Sequence, residues 1–109
     1  MCRHQTLFYD DSTGYVIQCE ECGNFQVGFG NLLVTLNEKD FSSFRKSVNK
    51  TLLVYGDSVE TITKSFFLPT PSEGVKLLLN KNELQLLATM LEEADTEHKA
   101  QQLLHLFYK

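Results

Sequence analysis

Phe25, Val27 and Phe29 alternate with Gln26 and Gly28, the period-two pattern of a strand with one buried face. Upstream, Leu7-Phe8-Tyr9 and Tyr15-Val16-Ile17-Gln18-Cys19 are β-prone runs separated by Asp10-Asp11-Ser12-Thr13-Gly14, a hairpin-loop composition. Downstream, Gly28 and Gly30 either bend the third strand or turn it into a fourth over Leu32-Leu33-Val34-Thr35-Leu36. Residues 1–36 therefore read as a strand meander. The period then changes. Phe41, Phe44, Val48 and Leu52 share one helical stripe behind Asn37 as N-cap and Asp40 in an acidic first turn, which predicts a helix over about residues 37–50.

Gly56-Asp57-Ser58 marks a turn, and Thr61 to Leu68 is β-branched and aromatic. Pro69 to Gly74 breaks the chain before Val75-Lys76-Leu77-Leu78-Leu79, so a second hairpin is expected over residues 60–79. Asn80 with Glu83 repeats the cap-plus-acid signal ahead of a stripe of Leu84, Leu87, Ala88 and Leu91. Asp95 or Thr96 reads as the cap of a last helix carrying Ala100, Leu103, Leu104 and Phe107 inward, giving a helical hairpin over residues 80–108. At an offset of 43 residues, the strand, Asn cap and helix of 32–48 overlie those of 75–91. Any strand that runs into a capped amphipathic helix gives this pattern, and so does a duplicated hairpin-plus-helix unit. Either origin gives an α+β class, a mostly antiparallel sheet with helices on one face.

With 109 residues, of which 42% are hydrophobic, the chain is long enough for one domain with a modest core. No apolar run approaches the ~20 residues of a spanning helix, so no membrane association is expected. Met1-Cys2-Arg3-His4-Gln5 lacks the apolar segment of a secretory signal, which makes the expected compartment cytoplasmic. Ten Lys and Arg against 14 Asp and Glu give a net charge of −4, which disfavours nucleic acid as a partner. The cluster of Arg45, Lys46 and Lys50 belongs at a helix end, where cations complement the carbonyl dipole.

The cysteines change the picture most. Cys2-Arg3-His4 is followed, after fourteen residues, by Cys19-Glu20-Glu21-Cys22-Gly23. Zinc takes four tetrahedral ligands from thiolate and imidazole, and a two-residue gap lets both sulfurs reach one ion around a tight turn. In an extended segment, Cys2 and His4 project to one face and could clamp the same ion. The expected site is thus a structural Zn²⁺ held by Cys2, His4, Cys19 and Cys22. Glu20 and Glu21 make its tip acidic, with Arg3 as the nearby cation, which favours a protein partner over nucleic acid.

Cys19-Glu20-Glu21-Cys22-Gly23 resembles one knuckle of a zinc ribbon, with strands on either side, over about 25 residues. It departs from that family in its other pair, Cys2-x-His4, which replaces a second Cys-x-x-Cys-Gly. The resemblance implies a structural ion and often a docking surface, without a chemistry. The chain as a whole looks like small bacterial-type proteins of uncharacterised function.

Rival readings remain. Cys19 and Cys22 could form a redox pair, although such motifs usually open a helix whose N-terminus lowers the thiol pKa. The cysteines could also be unliganded reduced thiols. No nucleophile-base, phosphate-loop or His-Glu-x-x-His motif is present, so a non-enzymatic domain is expected. His98 and His105 lie opposite the inward stripe of the last helix and read as solvated. Leu86, Met90 and Leu106 lie off the inward stripes and form a candidate strip for self-association or a protein partner.

Overall fold

The computed structural model describes residues 3–55, 64, 66–70 and 74–107. Four strands come first: β1 (His4–Asp10), β2 (Gly14–Cys19), β3 (Phe25–Phe29) and β4 (Leu32–Leu36). They pair antiparallel in sequence order, the meander that short hydrophilic turns between alternating strands permit. The glycine ambiguity resolves as a turn at Gly30-Asn31, where β3 ends and β4 begins. Gly28 instead stays inside β3, paired with Tyr15 on one side and Leu33 on the other. Between β1 and β2 the register shifts from Thr6↔Ile17 to Phe8↔Val16, leaving Leu7 as a bulge. The bulge resets the alternation, so Leu7 is buried beside a half-buried Phe8.

Helix α1 (Glu38–Tyr55) follows directly, longer at its C-terminal end than the sequence pattern predicts. Asn37 caps it, Oδ1 accepting the Asp40 N–H at 2.7 Å. Strands β5 (Phe66–Pro69) and β6 (Lys76–Leu79) form a separate two-stranded antiparallel sheet. The expected turn at Gly56 to Ser58 and the start of the expected hairpin, 60–63, lie outside the described residues. Asn80 then caps α2 (Lys81–Phe107) with a full capping box: Glu83 N–H donates to Asn80 Oδ1 at 2.8 Å, and Asn80 N–H donates back to Glu83 Oε1 at 2.9 Å. The chain is α+β, and each half runs hairpin, Asn cap, helix.

Helix α2 is a single helix of 27 residues, not the expected helical hairpin. Asp95 and Thr96 sit inside it. Asp95 faces Arg45 of α1 at 3.7 Å and Lys99 one turn on at 2.8 Å, so its carboxylate forms ion pairs where the sequence suggested a cap. The face of the last segment is inverted as well. Leu103, Leu104 and Phe107 are exposed, and Ala100 with them, whereas Ala94 and His98 are buried.

Helix α2 lies against β1 and β2, α1 against β4, and the helices against each other. Their shared core is built on Val16, Phe25, Val27 and Leu36 from the sheet, Phe41, Phe44 and Val48 from α1, and Leu84, Leu87, Met90 and Leu91 from α2. Met90 is fully buried, so it does not belong to the surface strip expected of it. Because α2 packs on the sheet, on α1 and on β6, its buried arc is wider than one stripe and takes Met90 in. Leu86 and Leu106 remain exposed. Among the described residues no helix is long and apolar enough to cross a membrane.

Candidate functional site

The β2–β3 connection is built around Cys19. Its N–H donates to the Asn24 carbonyl at 2.8 Å, and its carbonyl accepts the Gly23 N–H at 2.9 Å, closing a tight turn over Glu20 to Gly23. The turn needs a left-handed residue at its end, and Gly23 supplies one at φ +80° without a Cβ penalty. The chain reversal also brings the Cys22 N–H onto Cys19 Sγ at 3.3 Å. The turn expected at Cys22-Gly23-Asn24 is thus present.

His4 opens β1 and is the direct cross-strand partner of Cys19. Residues opposite one another on paired antiparallel strands share a face of the sheet, so the meander brings His4 to the Cys19 end of β2. His4 is exposed, Cys19 is 3% exposed, and Cys22 stands exposed in the turn. Cys2, the remaining expected ligand, lies outside the described residues. Among the described residues no group of three or more His, Cys, Asp or Glu side chains is placed to hold a metal ion. Cys19 is disulfide-bonded, in a bond that does not join it to Cys22. As a ligand, Cys19 would have to be reduced.

The surroundings carry the acidic character read from the sequence. The Glu20 N–H donates to the Arg3 carbonyl at 2.7 Å, and Arg3 Nε approaches Glu20 Oε2 at 3.7 Å. With Arg3 largely in solvent, that pair adds little stability.

His98 overturns its solvated reading: it is 7% exposed and meets Phe25 edge-on, ring centroids 5.1 Å apart. The signal was present in the spacing. His98 continues the stripe of Leu84, Leu87, Leu91 and Ala94 once α2 is read without a break. His105, two turns further along the same face, is exposed as expected.

The fold and site thus define a small α+β domain with a cysteine knuckle at one end of its larger sheet. The chain belongs to the family of unknown function DUF6686, whose model matches residues 1–107. No curated protein and no solved structure is significantly similar to it.

Proposed function

We propose that the knuckle holds a structural Zn²⁺ through Cys2, His4, Cys19 and Cys22, and that the domain is a non-enzymatic protein-interaction or regulatory module of a reducing compartment such as the cytoplasm. The observation that carries this reading is the Cys22 N–H donated to Cys19 Sγ at 3.3 Å, in a turn whose Gly23 takes positive φ. His4 as cross-strand partner of Cys19 supports it, because directly opposed positions share a face of the sheet. Three thiolates and a neutral imidazole leave the ion about one unit negative, and a site closed by four protein ligands stabilises the fold instead of activating water. Interaction would use apolar surface such as Leu86 and Leu106, 48% and 69% exposed.

The test compares thermal unfolding of the reduced parent with and without a strong chelator, beside Cys22→Ser and His4→Ala. Metal-binding free energy is folding free energy. The expected result is a chelator-dependent melting temperature in the parent that both variants lack. Identical melting with and without chelator contradicts the proposal.

A second reading has one observation in its favour, the disulfide at Cys19. In it, Cys19 cycles between disulfide and thiol. Cys22, the expected redox partner, lies outside that bond. Turnover of a model disulfide by the metal-free protein would favour this reading, and its absence would dismiss it.

A further inference from the structure

We propose that β4 is a dimerisation edge, on which a second copy of this chain pairs its own β4 antiparallel about a twofold axis at Val34 and joins the two meanders into one sheet. The free edges of the four-stranded sheet are β1 and β4. An open edge is a row of unpaired main-chain groups, and proteins blunt such rows with charges, prolines or bulges. β1 is blunted: Leu7 bulges out of its register, His4 opens the strand and Asp10 closes it. β4, with the sequence Leu32-Leu33-Val34-Thr35-Leu36, has no charge and no proline, and its register with β3 is unbroken.

The hairpin fixes which groups of β4 are free. Gly30 and Asn31 alone separate Phe29 from Leu32, and across a two-residue turn the flanking residues form a hydrogen-bonded pair. The pairs then alternate, so Val27↔Val34 and Phe25↔Leu36 are bonded, while Gly28↔Leu33 and Gln26↔Thr35 are not. The N–H and C=O of Leu33 and Thr35 therefore point away from β3, and among the described residues no other backbone group receives them. With β4 laid on a second β4 about Val34, Leu33 of each copy faces Thr35 of the other, and these are the residues whose groups point outward. Every free group then finds a partner, and the two inner faces stay in line. Leu33, 58% exposed, gains a cross-strand neighbour. No like charges meet, because the strand carries none. The strand thus complements itself, and the pairing closes, since the joined sheet offers only its blunted β1 edges.

The helix layer leaves room for the second copy. α2 covers β1 and β2, α1 covers β4, and Arg45 and Asn49 turn toward α2. Ser43, Ser47 and Thr51 lie on the opposite flank of α1, which looks out beyond β4. Their side chains are short, and the Thr51 hydroxyl is donated to the Ser47 carbonyl at 2.9 Å, so a second α1 can approach without stranding that hydroxyl. A strand of 5 residues is ~17 Å long and a helix of 18 is ~27 Å long. Two layers of that length, each ~10 Å thick, make a contact of roughly 400–500 Å² per copy, below the ~800 Å² of a standard interface. The dimer is accordingly weak and dependent on concentration. The inference does not rest on the metal reading, since no proposed zinc ligand lies on β4.

The test is sedimentation equilibrium of the reduced full chain from about 10 µM to 1 mM, with backbone hydrogen exchange measured at both ends of that range. Thr35→Pro removes an outward N–H that the pairing with β3 does not use, so the hairpin is kept. Ser43→Arg, at an exposed position, fills the helix flank. The expected result is a mass that rises from one chain toward two, with the Leu33 and Thr35 amides protected only in the concentrated sample. Both variants should raise the dissociation constant about tenfold or more and leave the melting temperature of the dilute protein unchanged. If Thr35→Pro does not fold, the parent's amide protection and Ser43→Arg decide the matter. A parent that is monomeric throughout overturns the proposal, as does a dimer whose Leu33 and Thr35 amides exchange as in the monomer. Association that Leu106→Ser abolishes and Thr35→Pro leaves intact overturns it too. Because zinc content is measured separately, failure here leaves the metal reading standing.

Discussion

Phe25 and Phe41 stack nearly face to face, with ring centroids 4.2 Å apart and planes 8° apart. The pair joins the first residue of β3 to the first turn of α1, and both residues are almost fully buried. Phe25 also carries His98 on α2, so one side chain touches both helices from the sheet. Phe25→Ala should cost about 3–5 kcal/mol, the usual range for removing a buried ring. Chemical denaturation would measure it, and a loss under about 1 kcal/mol would show that this ring does not organise the core.

Arg45 ties the helices together. Its Nη1 donates to Glu92 Oε1 at 2.7 Å, its Nε faces Asp95 at 3.7 Å, and Asn49 donates to the same Glu92 oxygen. Arg45 and Asp95 are well buried, but Glu92 is half exposed, so water screens part of the attraction. Arg45→Ala should destabilise by about 1–3 kcal/mol, from the lost pairing and from the packing of its stem. A double-mutant cycle with Asp95→Asn isolates the Arg45–Asp95 pair, and additivity would assign the loss to the Glu92 pairing and to packing.

Gly14 has no room for a side chain. A Cβ there would lie 1.9 Å from the Gly28 carbonyl oxygen, and its φ of +146° disfavours any other residue. Gly14→Ala should therefore cost more than about 2 kcal/mol and disturb the β2–β3 pairing. An unchanged urea midpoint would contradict this.

The pH dependence has a defined sign at Glu83. The Lys64 ammonium first, and the Asn80 N–H after it, hold its carboxyl below the ordinary carboxylate range. A carboxylate whose folded pKa is depressed contributes stability that is present above its unfolded pKa and lost as pH falls through the folded value. For Glu83 that window begins near pH 4.5 and extends downward. Glu83→Gln should lower stability at pH 7 and flatten the loss between pH 5 and 3. A variant with the parent's acid profile would show that the cap is not ion-linked.

The surface of α2 gives a contrast. Met90→Ala should cost about 2–5 kcal/mol, because Met90 is fully buried. Leu106→Ser, at a position 69% exposed, should stay within about 0.5 kcal/mol. If Leu106 serves association, its substitution instead lowers the apparent mass in sedimentation.

Much of the fold was legible in residue pattern because each signal was local. The meander followed from alternation at Phe25, Val27 and Phe29, and both helix starts from Asn37 and Asn80, whose side chains make the expected capping bonds. All the errors but the placement of Met90 share one cause. Asp95 and Thr96 looked like a helix start because polar residues in sequence do not reveal a tertiary partner, and Asp95 has Arg45. That false break inverted the face assigned to Leu103, Leu104 and Phe107 and sent His98 to the surface. The buried place of His98 becomes legible only once α2 is read without a break, as the continuation of the stripe of Leu84, Leu87, Leu91 and Ala94. At the knuckle, spacing foretold the turn and the place of His4 beside Cys19, while sulfur chemistry is decided by redox state and metal supply.

The most direct test of the central claim is elemental analysis of the full chain, purified under reduction without chelator or metal-binding tag, with thiols counted before and after unfolding. The account predicts one zinc per chain and thiols that react only once the protein unfolds. A reduced, folded chain that carries no zinc and whose three thiols react at once would contradict it.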